Sequence, residues 1–271
     1  MLNSVLLSLA LWMISAPADG GFEQRKGYDT VLINRINTEI GTTRLPMAMG
    51  HPIEPGVFVT LSMRSAAIFD HAISELDAGV LADKTLSKVC MGRCSAAFYS
   101  AFRRSWLQLS NESAAIDVEL PTRILFATDA QLPAATLIDA AYAASASHPV
   151  QPPISYLVLN AGRAGLRTRP FYLLPPRGLK NAEASQFLGL RVHVGHHGAF
   201  RISAIDPRFP ANNRGTGPEQ LRSMLADIKR RYPGKQTVIV EASAGTTVGD
   251  VVAVMAVAEK DFPKVVLAAA P

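Results

Sequence analysis

The sequence predicts an α+β fold: two tandem β-β-α-β-α-β domains, each with two helices packed on one face of a small sheet, behind an N-terminal signal peptide or membrane anchor. Three observations predict it. Residues 190–271 read as two short strands, a helix, a strand, a helix and a strand. Residues 57–160 can be traced in the same order. The leading stretch Leu2–Ile14 carries no charge.

The elements follow in chain order. Val5–Ile14 is an apolar core followed by Ala16 and Ala18 in an A-x-A pattern, the mark of a signal peptide. Residues 1–18 also fit a short, uncleaved membrane anchor, at about 18 residues the bare minimum for a span. Both readings place the rest of the chain outside the cytoplasm, and neither has a Lys or Arg ahead of the apolar core. Residues 19–53 read as an extended linker. In the first domain, 54–172, Val57–Leu61 and Ile68–His71 form a hairpin. Ala96–Leu109 is a helix with Phe98, Phe102 and Trp106 inward, and Ile124–Ala127 is a strand. Ala134–Ser145 is a helix with Leu137, Ile138 and Ala141 inward, and Ser155–Asn160 closes the domain. Residues 173–188, opening Leu-Leu-Pro-Pro-Arg-Gly, read as a linker.

The second domain spans 189–271. Leu190–Val194 and Phe200–Ile205 form a hairpin around His196-His197-Gly198. Pro218 sits at the first turn of a helix whose inward face is Leu221, Met224, Leu225 and Ile228. Tyr232-Pro233-Gly234 stops it. Thr237–Val240 is a strand, Ala242–Gly245 a turn and Val248–Glu259 a helix with Val251, Val252, Met255 and Ala258 inward. Phe262-Pro263 breaks that helix, and Lys264–Ala269 is the last strand. Ile124–Ser145 aligns with Val238–Glu259 without a gap. Only Ala130/Ala244 and Ala144/Ala258 are identical, so the match is one of apolar pattern.

Composition limits the function. With 271 residues and 48% hydrophobic content, the chain can build packed cores. No apolar run beyond the N-terminus reaches the ~20 residues of a membrane span, which excludes a multi-pass membrane protein. The 27 basic and 22 acidic residues are scattered, with local pairs only at Arg103-Arg104 and Arg230-Arg231. Nucleic-acid binding, which needs a basic stripe, is not expected.

Chemistry-bearing motifs are sparse. Cys90 and Cys94 are spaced for a small disulfide loop in an oxidising compartment, or are two unpaired, half-buried thiols. His193, His196 and His197 invite a metal reading, but Gly195 and Gly198 argue for a hairpin turn. Gly245–Gly249 lacks the lysine of a phosphate loop, Gly162–Gly165 is too short for a nucleotide fingerprint, and no Gly-x-Ser-x-Gly elbow is present. Asp129 and Asp139 are separated by a turn and about one helical turn, and Asp129 reads as an exposed turn residue. Asp117, Glu119 and Glu241 lie in or beside strands with no nameable partner. Asn111-Glu-Ser matches a glycosylation acceptor. No catalytic residue, metal or cofactor is expected, and the protein is not read as an enzyme.

The stretch from Thr237 to Pro271 resembles the closing strand–helix–strand of the periplasmic domain of the ExbD/TolR family of biopolymer-transport proteins. That pattern is a strand, Ala-Asp, a turn, Pro-Tyr, a helix with Val-Val and Met, and a strand. Ala242, Val251, Val252 and Met255 match it; Ser243 stands where Asp is usual and Val248 where Tyr is usual. In residues 54–162, where the resemblance is weaker, Asp129 and Pro133 match and Ala134 replaces Tyr. Residues 3–17 are similar to the family's single membrane helix, with Asn3 on its proton-carrying Asp. Asparagine cannot titrate. Residues 43–61 resemble the extended stretch that follows the membrane, with Leu45-Pro46 after the anchor.

The resemblance implies a non-enzymatic cell-envelope protein whose bulk is periplasmic. It would be held to the inner membrane by residues 1–18 or released by cleavage near Ala18. The implied partners are inner-membrane motor proteins of the ExbB/TolQ type or TonB/TolA-like proteins, peptidoglycan, and a second copy in a homodimer. Contact would be made by strand addition at a sheet edge. Asn3 and the duplication favour an alternative: a free periplasmic binding or scaffold module with no ion-coupled role.

Overall fold

The computed structural model describes residues 22–69, 71–83, 85–115, 122–149, 153–174, 189–204, 209 and 213–269. Asn3 with the whole leading segment, residues 175–188 of the expected linker, Ile205, Asp117 and Glu119 lie outside the described residues. The chain is a mixed α+β structure. Its described helices are α1 (Phe22–Glu39), α2 (Ala96–Ala115), α3 (Ala134–Ser147), α4 (Pro218–Arg231) and α5 (Val248–Ala258). None is long and apolar enough to cross a membrane. The strands are β1 (Val57–Leu61), β2 (Ser65–Ile68), β3 (His71–Glu75), β4 (Arg123–Thr128), β5 (Ile154–Asn160) and β6 (Leu166–Leu173). They continue as β7 (Arg191–Val194), β8 (Ala199–Ser203), β9 (Asn213–Thr216), β10 (Thr237–Ala242) and β11 (Lys264–Ala269).

All eleven join one sheet in the order β3-β2-β1-β4-β5-β6-β11-β10-β7-β8-β9. Counted inward from either edge the connectivity is the same: a hairpin with an added edge strand, then two parallel strands reached through helices. The expected picture of two small separate sheets is thereby corrected. What joins them is β6, absent from the sequence reading, which runs antiparallel to β5 and parallel to β11. Its sequence, Leu-Arg-Thr-Arg-Pro-Phe-Tyr-Leu, lacks a clean apolar alternation and contains Pro170, so it does not read as an interior strand.

Two further corrections have local causes. The second hairpin strand is 65–68 rather than 68–71. The Ser62 hydroxyl accepts from the Ser65 amide at 2.9 Å and closes a tight turn, and the chain then reverses at Phe69, which takes a left-handed φ of 48°. Residues 22–39 form α1 rather than an extended linker. Leu32, Ile36 and Ile40 lie at i, i+4, i+8 and are buried, but this stripe is too narrow to stand out in a polar segment.

The core is continuous. One cluster of buried apolar side chains runs from Leu32 through Val59, Phe98, Leu137 and Val252 to Leu267. At its centre lie α3 and α5. Both are apolar on nearly every side, as a helix enclosed by protein must be. β4 and β10 are buried on both faces, which explains their unbroken apolar runs.

The starts of the two central helices interlock. Ala134 donates its amide to the Thr246 carbonyl and Val248 donates to the Leu132 carbonyl, each at 2.8 Å, and Pro133 bridges Thr247. These are the positions that the gapless alignment equates. α3 begins after proline with no side-chain cap, so a backbone carbonyl from the other half takes the first amide. α5 adds its own capping box, with Thr247 and Asp250 exchanging bonds of 3.2 and 3.1 Å. Farther along, the buried Arg169 of β6 pairs with Glu259 at the end of α5 and donates to the Met49 carbonyl at 2.7 Å.

Cys90 and Cys94 are disulfide-bonded in the loop before α2, with Cα atoms 5.6 Å apart and both residues buried. The chain-entropy effect of so short a loop is only ~2 kcal/mol. Replacing both cysteines by serine is expected to lower unfolding stability by about that amount, measured by urea denaturation, with the fold retained.

Candidate functional site

The densest arrangement of chemistry-bearing side chains lies on β7, β8 and β10. Register sets it. Arg191 and His193 of β7 align with Ile239 and Glu241 of β10, and with Ser203 and Arg201 of β8. Side chains of aligned residues project from the same face. That face is opposite the one bearing Val238, Val240 and Val192, which pack into the helix-covered core. Ile239, Val266 and Ala268 form a separate small apolar cluster on it, with Leu174 packed against them.

Glu241 is buried and forms an ion pair with Arg191. Its other oxygen lies 2.7 Å from His193 Nδ1, and His193 Nε2 lies 2.9 Å from the Ser203 hydroxyl. The Glu241 carboxylate can only accept, so Nδ1 carries the imidazole proton and Nε2 accepts from Ser203. Burial pushes the His193 imidazole below its ordinary value. Glu241 pulls it upward, and Arg201 and Arg191 reinforce the lowering. The neutral ring is therefore the resting form at neutral pH.

This is the acid–imidazole–hydroxyl order of a hydrolase triad, with the hydroxyl on Ser203, the last residue of β8. β8 is laddered to β7 on one side and β9 on the other. The arrangement holds one polar face in register across β10, β7 and β8.

Other singled-out residues fall elsewhere. Asp129, expected as an exposed turn residue, is 1% exposed and pairs with Arg44 at 2.5 Å. It also accepts from the Gln131 amide. Arg44 lies eighty-five positions upstream, so the pair is invisible to local reading. Asp139 accepts from the Ser95 amide at 2.6 Å, one residue before α2 begins, and burial pushes its carboxyl up to about 6. His196 packs over Gly245, whose φ of 79° and lack of a Cβ leave room for the ring. Glu241, which had no nameable partner, has two. The available signal was the period-2 spacing of polar residues at 191, 193, 201 and 203, which marks one polar strand face.

Compared with models of protein families, with curated proteins and with solved structures, the chain matches none.

Proposed function

We propose that the chain is a non-enzymatic cell-envelope protein of the ExbD/TolR kind, built from two tandem β-β-α-β-α-β units and acting through protein–protein contacts on the periplasmic side. The observation that carries this reading is the strand–turn–helix–strand Thr237–Ala269, whose apolar positions resemble that family, together with the same strand order in residues 57–160. The interlocked helix starts at equated positions support an internal duplication. Inner-membrane motor proteins of the ExbB/TolQ type or TonB/TolA-like proteins are the proposed partners, with peptidoglycan as a further contact. Among the described residues β3 and β9 are the edge strands, and their outer backbone groups are the proposed sites of strand addition.

An exposed apolar patch supports a protein partner. Val89, just before the disulfide-closed loop, and Met91 within it, with Ile154 and Tyr172, rim a cleft of about 480 Å³ whose floor includes Phe171. The alternative, a periplasmic binding or scaffold module with no ion-coupled role, is favoured by Asn3, which cannot cycle a proton.

Copurification from detergent-solubilised envelopes tests the reading. The full chain is expected to bring down an ExbB/TolQ-type or TonB/TolA-like protein, and Asn3→Ala to leave that capture unchanged. Replacing residues 1–18 by an unrelated signal separates the alternatives. Retained function in the envelope supports the scaffold, whereas loss at normal export and abundance supports motor contact through the apolar segment. A full-length chain found only in the cytoplasm would sink both.

A further inference from the structure

The row of side chains across β10, β7, β8 and β9 continues beyond the Glu241–His193 pair. His193 aligns with Arg201 of β8, and Arg201 aligns with Arg214 of β9. Two guanidinium groups thus stand directly opposite each other on one face, both exposed. Like charges placed opposite on adjacent strands repel. Among the described residues, neither Arg201 nor Arg214 makes a hydrogen bond or an ion pair. The nearest carboxylate in the row, Glu241, is already bound to Arg191 and His193.

We propose that Arg201 and Arg214, with the Ser203 hydroxyl beside them, form a receptor for a doubly charged oxyanion group, either a phosphate monoester or a dicarboxylate. Net charge fits: Arg191 and Glu241 cancel, leaving the two outer arginines. Register fits, because Arg201 and Arg214 are cross-strand partners on one face and guanidinium forks bind oxyanions in paired hydrogen bonds. Ser203 lies two residues from Arg201 on the same face. Its hydroxyl donates to His193 Nε2 and can instead rotate to donate to a bound anion, giving up that bond. The buried Glu241 pair holds His193, and through it Ser203, in place. The site stands apart from the envelope reading and does not depend on it.

The experiment uses the full chain, with inorganic phosphate and glutarate as probes in isothermal titration at low salt. Saturable binding of phosphate assigns a phosphate ester, and saturable binding of glutarate assigns a dicarboxylate; either supports the receptor. R201Q and R214Q are each expected to weaken it at least about tenfold, the effect of losing one charged hydrogen bond. K264Q, on the same face but over Tyr172, should bind as the parent does. Thermal melting gives an independent readout. Without ligand, R201Q should melt higher than the parent because the repulsion is gone, and the gap should close as the binding anion is added. Absence of saturable binding by both probes, binding unchanged in R201Q and R214Q, equal loss in K264Q, or a lower melting point for ligand-free R201Q would overturn the proposal.

Discussion

Val252→Asp is expected to cost the whole chain on the order of 3–5 kcal/mol of unfolding stability. Val252 is 1% exposed and sits on α5, the helix enclosed by both halves. A carboxylate there has no partner, and the side chain is too short to reach water. The expected effect is not confined to the second half. Trp106 lies in the first half, buried, with its indole N–H donating to the Ala144 carbonyl of α3. Because α3 and α5 share one core and exchange backbone bonds at their starts, Trp106 should report the same lowered midpoint as circular dichroism does. The measurement is urea denaturation followed by both signals, with Trp12 replaced by phenylalanine so that Trp106 alone emits. A shift seen by circular dichroism with an unmoved Trp106 transition would mean that the halves unfold independently. An unchanged midpoint by both signals would mean that α5 does not lie where the fold places it.

Asp139→Asn is expected to raise stability near neutral pH by about 2–3 kcal/mol. The folded carboxyl is pushed up to about 6 by burial, from an ordinary value of 3.8. The sign follows from linkage. Below about 3.8 the group is protonated in both states and costs nothing. Between there and about 6, the unfolded chain releases its proton while the folded chain keeps it, so stability falls as pH rises. Above about 6 the folded protein holds a desolvated charge, and the full penalty stands. Asparagine removes the charge yet keeps the oxygen that accepts from the Ser95 amide. The variant should therefore gain over the parent as pH rises from about 4 to 7 and match it at about pH 4. Denaturation midpoints of both proteins across that range check this. A variant less stable than the parent at pH 7 would show that the ionised carboxylate, holding the start of α2, is worth more than its desolvation costs.

Local pattern carried a large part of this molecule, and the reason is physical. The helices around Phe98 and Leu225 were legible because each buries one face whose period appears in a short window, and the strand Lys264–Ala269 and the helices around Leu137 and Val252 because each is an apolar run bounded by breaking residues. The turn at Gly195–Gly198, the proline opening α4 and the stop at Tyr232–Gly234 are likewise local, set by backbone preference. The gapless alignment of the two strand–helix segments rests on the same patterns, and its equated positions meet at Pro133 and Thr247.

Tertiary structure alone decided what depends on distance along the chain. That one sheet holds all eleven strands rests on β6, whose place comes from pairing with β5 and β11 rather than from its own sequence. Helix α1 exists because Leu32 and Ile36 find the core, not because residues 22–39 favour a helix strongly. The Arg44–Asp129 pair and the Arg191–Glu241–His193–Ser203 array join residues from separate elements. Strand register brings them together, and register is a global property: a slip of one residue would send every one of those side chains to the opposite face. The residues of the site could be read in the sequence one by one, but their neighbours could not.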